Sequence, residues 1–304
     1  MHEYAITKEL LRTLKESSLK NNSLKILKIQ VEIGFFSGYA SESIKYYFDE
    51  LKIKEDILKN AEISFVTGKH SDIKIKSVSF EDEILPNSKF DISLKAKNEE
   101  IARKIKSFLD SKSVFCINIM GAPGSGKTTL IECLSDYIKE FSVIQGDLKS
   151  DVDTKRLLKK NIPSFQINTH SGCHLNAAMI FDALQKFEIK NNSYMLIENV
   201  GNLVCPAGVV IGQHLNLLVT ATTEGPDKAE KYPFIFKDAD AIILMKYDLK
   251  NAVEFNEEEF FNRLRKNNLE KPVFKVSKKD LSSIENLVDY LKSKKEEYFS
   301  YPSN

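Results

Sequence analysis

The sequence predicts an α/β fold, a doubly wound, mostly parallel sheet in the larger carboxyl-terminal part, with a smaller amino-terminal α+β domain ahead of it. Three observations lead there. After Val114, short apolar runs without polar alternation take turns with helical stretches, as in strands covered by helices on both faces. A glycine-rich turn, GAPGSGKT at 121–128, joins one such run to a good helix. Earlier, KIQVEIG at 28–34 alternates strictly, with Ile29, Val31 and Ile33 on one face, which is the mark of a half-buried strand in a different kind of sheet.

In chain order, residues 6–19 carry Ile6, Leu10, Leu11 and Leu14 at helical spacing, and Ile44, Tyr47, Phe48 and Leu51 repeat the pattern after the SES stretch. AEISFV and IKIKSVSFE supply two further strands, and the apolar phase changes between Ile75 and Val78, which predicts a bulge. LPNSKFD, around Pro86, has turn composition and ends the first domain at 1–85. Residues 86–112 read as a linker and an amphipathic helix, with Ile101, Ile105, Phe108 and Leu109 on one stripe, and 113–304 as the second domain. There FCINIM, SVIQ, FQIN, YMLIE, LNLLVT, AIILM and VFKV are the expected strands, and 129–138, 154–160, 176–187 and 283–291 the expected helices. Ligands of such sheets collect beyond the carboxyl ends of the strands.

Composition narrows the partners. The 304 residues hold 44 Lys plus Arg against 43 Asp plus Glu, so no global field favours nucleic acid or an anionic membrane, and a polyanion must be held locally. No apolar run approaches the roughly 20 residues of a spanning helix. MHEYAITKEL has no apolar signal core, so a cytoplasmic location is expected. Cys116, Cys133, Cys173 and Cys205 are then expected to be reduced, for packing or for metal, rather than paired as disulfides.

GAPGSGKT matches G-x-x-x-x-G-K-[ST], the P-loop that closes backbone N–H groups around phosphates. Gly121, Gly124, Ser125, Gly126, Lys127, Thr128 and Thr129 form the expected nucleotide cradle, in which Lys127 reaches the outer phosphates and Thr128 holds Mg²⁺. Asp147 in VIQGD and Glu198 in MLIEN end later strands and are candidate Mg²⁺ partners, or else helix-capping acids. In MKYDL, Lys246 and Asp248 resemble the guanine-reading N-K-x-D of GTPases, with Met245 where the asparagine is expected, a loss worth about 1 kcal/mol for one hydrogen bond. The alternative is two solvated charges. A loop at 277–279 is a candidate backbone donor to the base.

Cys173-His174, in SGCHLN, is read alone as a small apolar residue beside an imidazole. Its position changes that reading. Cys173 and His174 follow the FQIN strand, and Cys205 lies seven residues after Glu198, so all three leave the carboxyl edge near the nucleotide. Two thiolates and an imidazole suit Zn²⁺ or Ni²⁺. Adjacent side chains diverge, so both members of the pair reach one ion only from irregular backbone or across a dimer axis. Cys116 and Cys133 read as core, and His70 and His214 have no partner evident from sequence.

The order of GAPGSGKT, GD, INTHSGCHLNA, IENVGNLVCPAG, TEGPDKAEKYP and MKYDL resembles the HypB family of hydrogenase nickel-insertion GTPases over about 114–291. The resemblance implies GTP hydrolysis with Lys127, Thr128, Asp147 and Glu198, GTP-dependent homodimerisation, and a nickel or zinc site at Cys173, His174 and Cys205. The first domain, through MHEYAITKELL, VEIGFFSGYASESIKYYFD and AEISF, resembles the HypA nickel chaperones, without their zinc knob between Phe65 and Ile73. That implies nickel binding at His2 and Glu3, where amine, amide nitrogen and imidazole form fused chelate rings. Together these resemblances imply a fused metallochaperone serving the hydrogenase large subunit with other nickel-delivery accessory proteins. Two other readings stand beside it, a non-hydrolysing metal-binding scaffold and a GTPase chaperone for another nickel enzyme such as urease.

Overall fold

The computed structural model describes residues 2–20, 25–35, 37–69, 72–81, 88–147, 152–169, 172–267 and 269–300, and divides into two compact units, Met1–Glu100 and Ile101–Asn304. In the first unit, α1 (His2–Lys20), β1 (Ile26–Gly34), α2 (Ser41–Lys52), β2 (Glu62–Gly68), β3 (Ile73–Phe80) and β4 (Ser88–Ser93) follow in order. The sheet order is β2-β1-β3-β4, with β2 parallel to β1 across the α2 crossover and the other pairs antiparallel. Alternation in β1 buries Ile29, Val31 and Ile33 against Leu10 and Leu14 of α1 and Ile44 and Phe48 of α2. The phase change in β3 is a bulge, because Gln30 pairs with Ser77 but Val31 with Ile75, leaving Lys76 unmatched.

The turn expected at LPNSKFD is replaced in part by β4, which pairs with β3 and extends the sheet past the boundary suggested at residue 85. Ser and Lys dilute its apolar signal, and edge position needs only one side paired. Pro86 and His70 lie outside the described residues.

The second unit begins within α3 (Leu94–Ser111) and alternates strands and helices as β5 (Phe115–Gly121), α4 (Lys127–Leu134), β6 (Phe141–Asp147), α5 (Val152–Lys159), β7 (Ser164–Asn168), α6 (Ala177–Leu184), β8 (Tyr194–Glu198), β9 (Leu215–Ala221), α7 (Lys228–Lys231), α8 (Pro233–Asp238), β10 (Ala241–Met245), α9 (Glu257–Lys266), β11 (Val273–Lys275) and α10 (Glu285–Ser300). Every pairing in its seven-stranded sheet, β11-β10-β9-β5-β8-β6-β7, is parallel. Both faces are covered, which explains the unbroken apolar runs. Phe115, Ile117 and Ile119 join Leu130 and Ile131 of α4 and Leu287 and Leu291 of α10. On the opposite face Cys116 and Ile197 meet Ile105, Leu109 and Ile180. Phe108 departs from the expected stripe and is 42% exposed. Cys116 and Cys133 are core residues, as their positions suggested.

Candidate functional site

Strand β5 ends at the centre of the sheet, and the glycine-rich turn closes over that end. Gly121 has φ of 152°, and a Cβ there would lie 2.2 Å from the Val219 carbonyl oxygen, so only glycine lets the chain turn so close to β9. Gly126 is the N-cap of α4, in left-handed backbone with no side-chain cap, which leaves the first helical N–H groups to an external acceptor. A cavity of about 430 Å³ opens here, lined by Gly124, Gly126, Lys127, Thr128, Thr129 and residues of the neighbouring strand ends, a size that suits a nucleotide's phosphates. Gly121 and Ser125 stand behind that lining, and the Ser125 hydroxyl is buried without a hydrogen-bond partner.

Lys127 is buried, its Nζ donating to the carbonyls of Gly121 at 3.3 Å and Ala122 at 3.0 Å. Burial pushes its ammonium below the ordinary lysine range, against the pull of Glu198. Thr128 Oγ1 donates to Glu198 Oε1 at 2.8 Å, and Gln145 Nε2 donates to Glu198 Oε2 at 2.7 Å. Burial nonetheless raises the Glu198 carboxyl above its usual range. Asp147 lines the same cavity from the end of β6. A hydroxyl and two carboxylates at one cavity are the hard-oxygen donors that Mg²⁺ takes.

The base-reading candidates separate. Lys246, in left-handed backbone at φ 56°, lays its Nζ on the Gly124 carbonyl at 2.9 Å. Asp248 lies outside the lining, where Oδ1 accepts from Ser277 Oγ at 2.9 Å and Oδ2 is 3.5 Å from Lys279 Nζ. Burial opposes it, but Ser277, its own backbone and Lys279 hold its carboxyl below the usual range. The 277–279 loop thus sits against Asp248, and its Lys279 N–H is turned inward to Ser277 Oγ at 3.1 Å. Met245 is not a substitute base reader, since it is 1% exposed and packs beneath Gly126.

Cys173, His174 and Cys205 come together. Their ligand atoms lie within 4.8 Å of one another, and they are the one such group of three among the described residues. Cys173 and Cys205 are buried, and His174 is half-buried. The irregular backbone between β7 and α6 is what lets adjacent residues face one point, with Cys173 Sγ 3.6 Å from His174 Nδ1. The hydrogen bond to Cys173, and then burial, push the Cys205 thiol well above its ordinary range.

The thiol loop is attached to the phosphate loop. Asn202 N donates to the Gly121 carbonyl at 3.0 Å, and Asn202 Oδ1 accepts from Val204 N at 2.7 Å and Cys205 N at 3.1 Å. A Cβ on Gly201 would meet Pro123 N at 2.9 Å. One stretch of backbone, from Glu198 to Cys205, therefore runs from the cavity lining to the cluster and is bonded to the glycine-rich turn.

The family model for the CobW/HypB/UreG nucleotide-binding domain matches residues 115–275, more than half of the chain. The chain belongs to this family. The hydrogenase/urease maturation factor HypB of Helicobacter pylori strain 26695 is 37% identical over 209 residues, covering 67% of this chain and 86% of the relative. The probable hydrogenase maturation factor HypB of Methanocaldococcus jannaschii is 36% identical, covering 66% of this chain and 92% of the relative. Among solved structures, H. pylori HypB in complex with nickel gives a TM-score of 0.64 at 36% identity, covering 68% of this chain and 99% of that one. HypB from Archaeoglobus fulgidus gives 0.60 at 34% identity over 65% and 98% of the two chains. Residues 1–73 match the model for the hydrogenase/urease nickel-incorporation metallochaperone HypA. A HypA-type segment is thus joined to a HypB-type domain.

Around this CobW/HypB/UreG core the structure adds residues that sequence reasoning missed. Gln145 and Asn199 line the cavity, and Asn118 is 1% exposed in β5. Each is a polar residue in or beside a strand that is otherwise apolar, and a buried amide needs partners, which was the available signal. Glu132, on α4, forms a two-pronged ion pair with Arg156 that ties α5 to the P-loop helix. His214, which had no partner in the sequence reading, is fully satisfied. Its Nδ1 accepts from Cys116 N at 2.8 Å, and its Nε2 donates to Asp110 Oδ1 at 2.7 Å.

At the amino terminus, Met1 and the His2 imidazole lie outside the described residues. Glu3 is in the first turn of α1, its Oε1 accepting from Ala40 N at 3.5 Å. Among the described residues no helix is long and apolar enough to cross a membrane.

Proposed function

We propose that this chain is a GTP-hydrolysing nickel metallochaperone of the cytoplasm that assists nickel insertion into the large subunit of [NiFe]-hydrogenase, its amino-terminal part contributing a second nickel-binding segment at His2 and Glu3. The observation that carries the reading is the thiol–imidazole–thiol cluster, whose Cys205 lies on a loop bonded through Asn202 N to the Gly121 carbonyl. Nickel held by Cys173, His174 and Cys205 then has an affinity that answers to the phosphates held by the glycine-rich turn. The names of the relatives, hydrogenase and urease maturation factors, agree with this.

Hydrolysis in this scheme is positioning and charge neutralisation. Lys127 and the open N-terminus of α4 hold the outer phosphates, while Lys246 covers, and Asp248 reads, the base. Thr128, Asp147 and Glu198 would hold Mg²⁺, which when bound would supply neutralisation of the charge that develops on the phosphoryl oxygens. Gln145 keeps the Glu198 carboxylate aimed at Thr128. Three soft donors leave a fourth position for an exchanging ligand, which is how a second copy in a nucleotide-dependent homodimer, or an accessory protein, receives the ion.

Phosphate release from GTP and Ni²⁺ titration of the full chain, alone and as Cys173→Ala, test this. Steady release of phosphate with thiolate-bound nickel that is lost in the variant is expected. No phosphate release with nickel binding intact favours the scaffold reading. The relatives' names include urease, so deletion of the gene with hydrogenase and urease activities assayed separately decides which enzyme is served; loss of urease activity alone overturns the hydrogenase assignment.

A further inference from the structure

Asn199 stands where the phosphate side and the thiol side meet. It is 2% exposed, and its Oδ1 accepts two backbone hydrogen bonds, from Leu175 N at 3.0 Å and from Val200 N at 3.0 Å. Leu175 directly follows Cys173-His174, and Val200 opens the loop that carries Cys205. One oxygen thus gathers the two ligand-bearing loops, which leave the sheet from different strands, β7 and β8.

The carboxamide is itself fixed. Its Nδ2 donates to Asn118 Oδ1 at 3.2 Å, and Asn118 Nδ2 donates to Asn216 Oδ1 at 2.9 Å, a chain of buried amides crossing three neighbouring strands of the sheet. With its nitrogen committed there, only the oxygen faces the loops. An interior N–H deprived of its acceptor is costly, so the loops follow the carboxamide together rather than singly. Asn199 is also covalently joined to Glu198, whose carboxylate Thr128 of the P-loop helix holds.

We propose that Asn199 is the positioning residue that couples the two sites: a displacement of Glu198 by the nucleotide moves the Asn199 carboxamide, and its single oxygen carries both thiol loops with it. This rests on the reading of Cys173, His174 and Cys205 as a cation site that answers to the nucleotide.

The test is the ratio of Ni²⁺ affinities between the GDP form and the form bound to a non-hydrolysable GTP analogue, in the wild-type chain and in Asn199→Ala. A merely structural role weakens both forms alike and leaves the ratio unchanged. We expect a wild-type ratio of about tenfold or more that collapses toward one in the variant, with each form measured at saturating nucleotide. A wild-type ratio retained in a folded variant overturns the role of Asn199 and leaves the coupling itself intact. A wild-type ratio of one overturns the coupling, and with it this inference. Amide hydrogen exchange on the wild-type chain serves where the variant does not fold. Protection at Leu175 and Val200 changes together between the two nucleotide forms if Asn199 couples them, and a change at Val200 alone overturns the proposal.

Discussion

The two edges of the seven-stranded sheet hold the same kinds of residue and use them in opposite ways. At the amino-terminal edge, His214 spends both ring nitrogens, on Asp110 and on the Cys116 N–H, stacks on Phe115 at 5.1 Å between ring centroids, and shares Asp110 with the Tyr298 hydroxyl. At the carboxyl-terminal edge, Ser125 Oγ, Gln145 Oε1 and Glu224 Oε1 are buried without hydrogen bonds, Lys127 and Glu198 are both driven toward neutrality by burial, and thiols face an imidazole. The difference teaches that residue type does not mark a site. Unspent capacity gathered around a cavity, as at Gln145, is the better sign, because such groups are unfavourable until something external satisfies them, whereas the unpartnered Ser142 hydroxyl near the start of β6 lies outside the cavity lining.

The largest expected effect tests the unspent edge. Lys127→Ala removes the charge proposed to face the outer phosphates, and phosphate release is expected to fall by about a thousandfold or more. Melting temperature without nucleotide does not fall, because the buried ammonium is itself a cost to the folded state. Cys205→Ala comes next. It removes one of three soft donors, weakens Ni²⁺ binding by about a hundredfold in a metal titration, and leaves GTP affinity nearly unchanged.

At the spent edge the signs reverse. His214→Ala strands the buried Cys116 N–H and removes one of the two partners of Asp110, lowering stability by about 2–3 kcal/mol in denaturant unfolding while turnover at permissive temperature stays within about twofold. The smallest effect is in pH. Burial is the main cause that holds the His214 ring below its ordinary value, with Lys106 acting in the same direction and Asp110 opposing, so the folded chain keeps it neutral where the unfolded chain takes up a proton. Its contribution is complete above the unfolded histidine value near 6.5 and is lost as pH falls from there toward the folded value, at no more than about 1.4 kcal/mol per pH unit. Unfolding midpoints between pH 7.5 and 5.5 show that slope in the wild type, and His214→Gln removes its share.

Much of this architecture was legible because covered parallel strands are apolar on both faces, so the strands from FCINIM to VFKV stand out without any knowledge of their order. The bulge at Lys76 was legible for the same reason, since a slip in register moves buried residues to the other face. What escaped depends on contacts distant in sequence. Strand β4 is an edge strand whose polar SKFDIS resembles a turn. Phe108 shares the stripe of α3 by spacing but is left 42% exposed. Met245 occupies a motif position whose usual role is polar, and its burial under Gly126 follows from the closure of the P-loop. The convergence of Cys173 with His174 needed an irregular turn that no periodicity announces. The attachment of Asn202 to Gly121 and the hydrogen bond that Asn199 accepts from Leu175 join segments far apart in the chain, and a single sequence holds no record of that geometry.

If Cys173, His174 and Cys205 hold a cation whose affinity is coupled to the nucleotide through residues 198–205, Ni²⁺ titration of the wild-type chain without nucleotide, with GDP and with a non-hydrolysable GTP analogue reads that coupling. Coupling gives dissociation constants that differ by about tenfold or more between the two nucleotide forms, equivalent to about 1.4 kcal/mol. The same dissociation constant in all three states would contradict it.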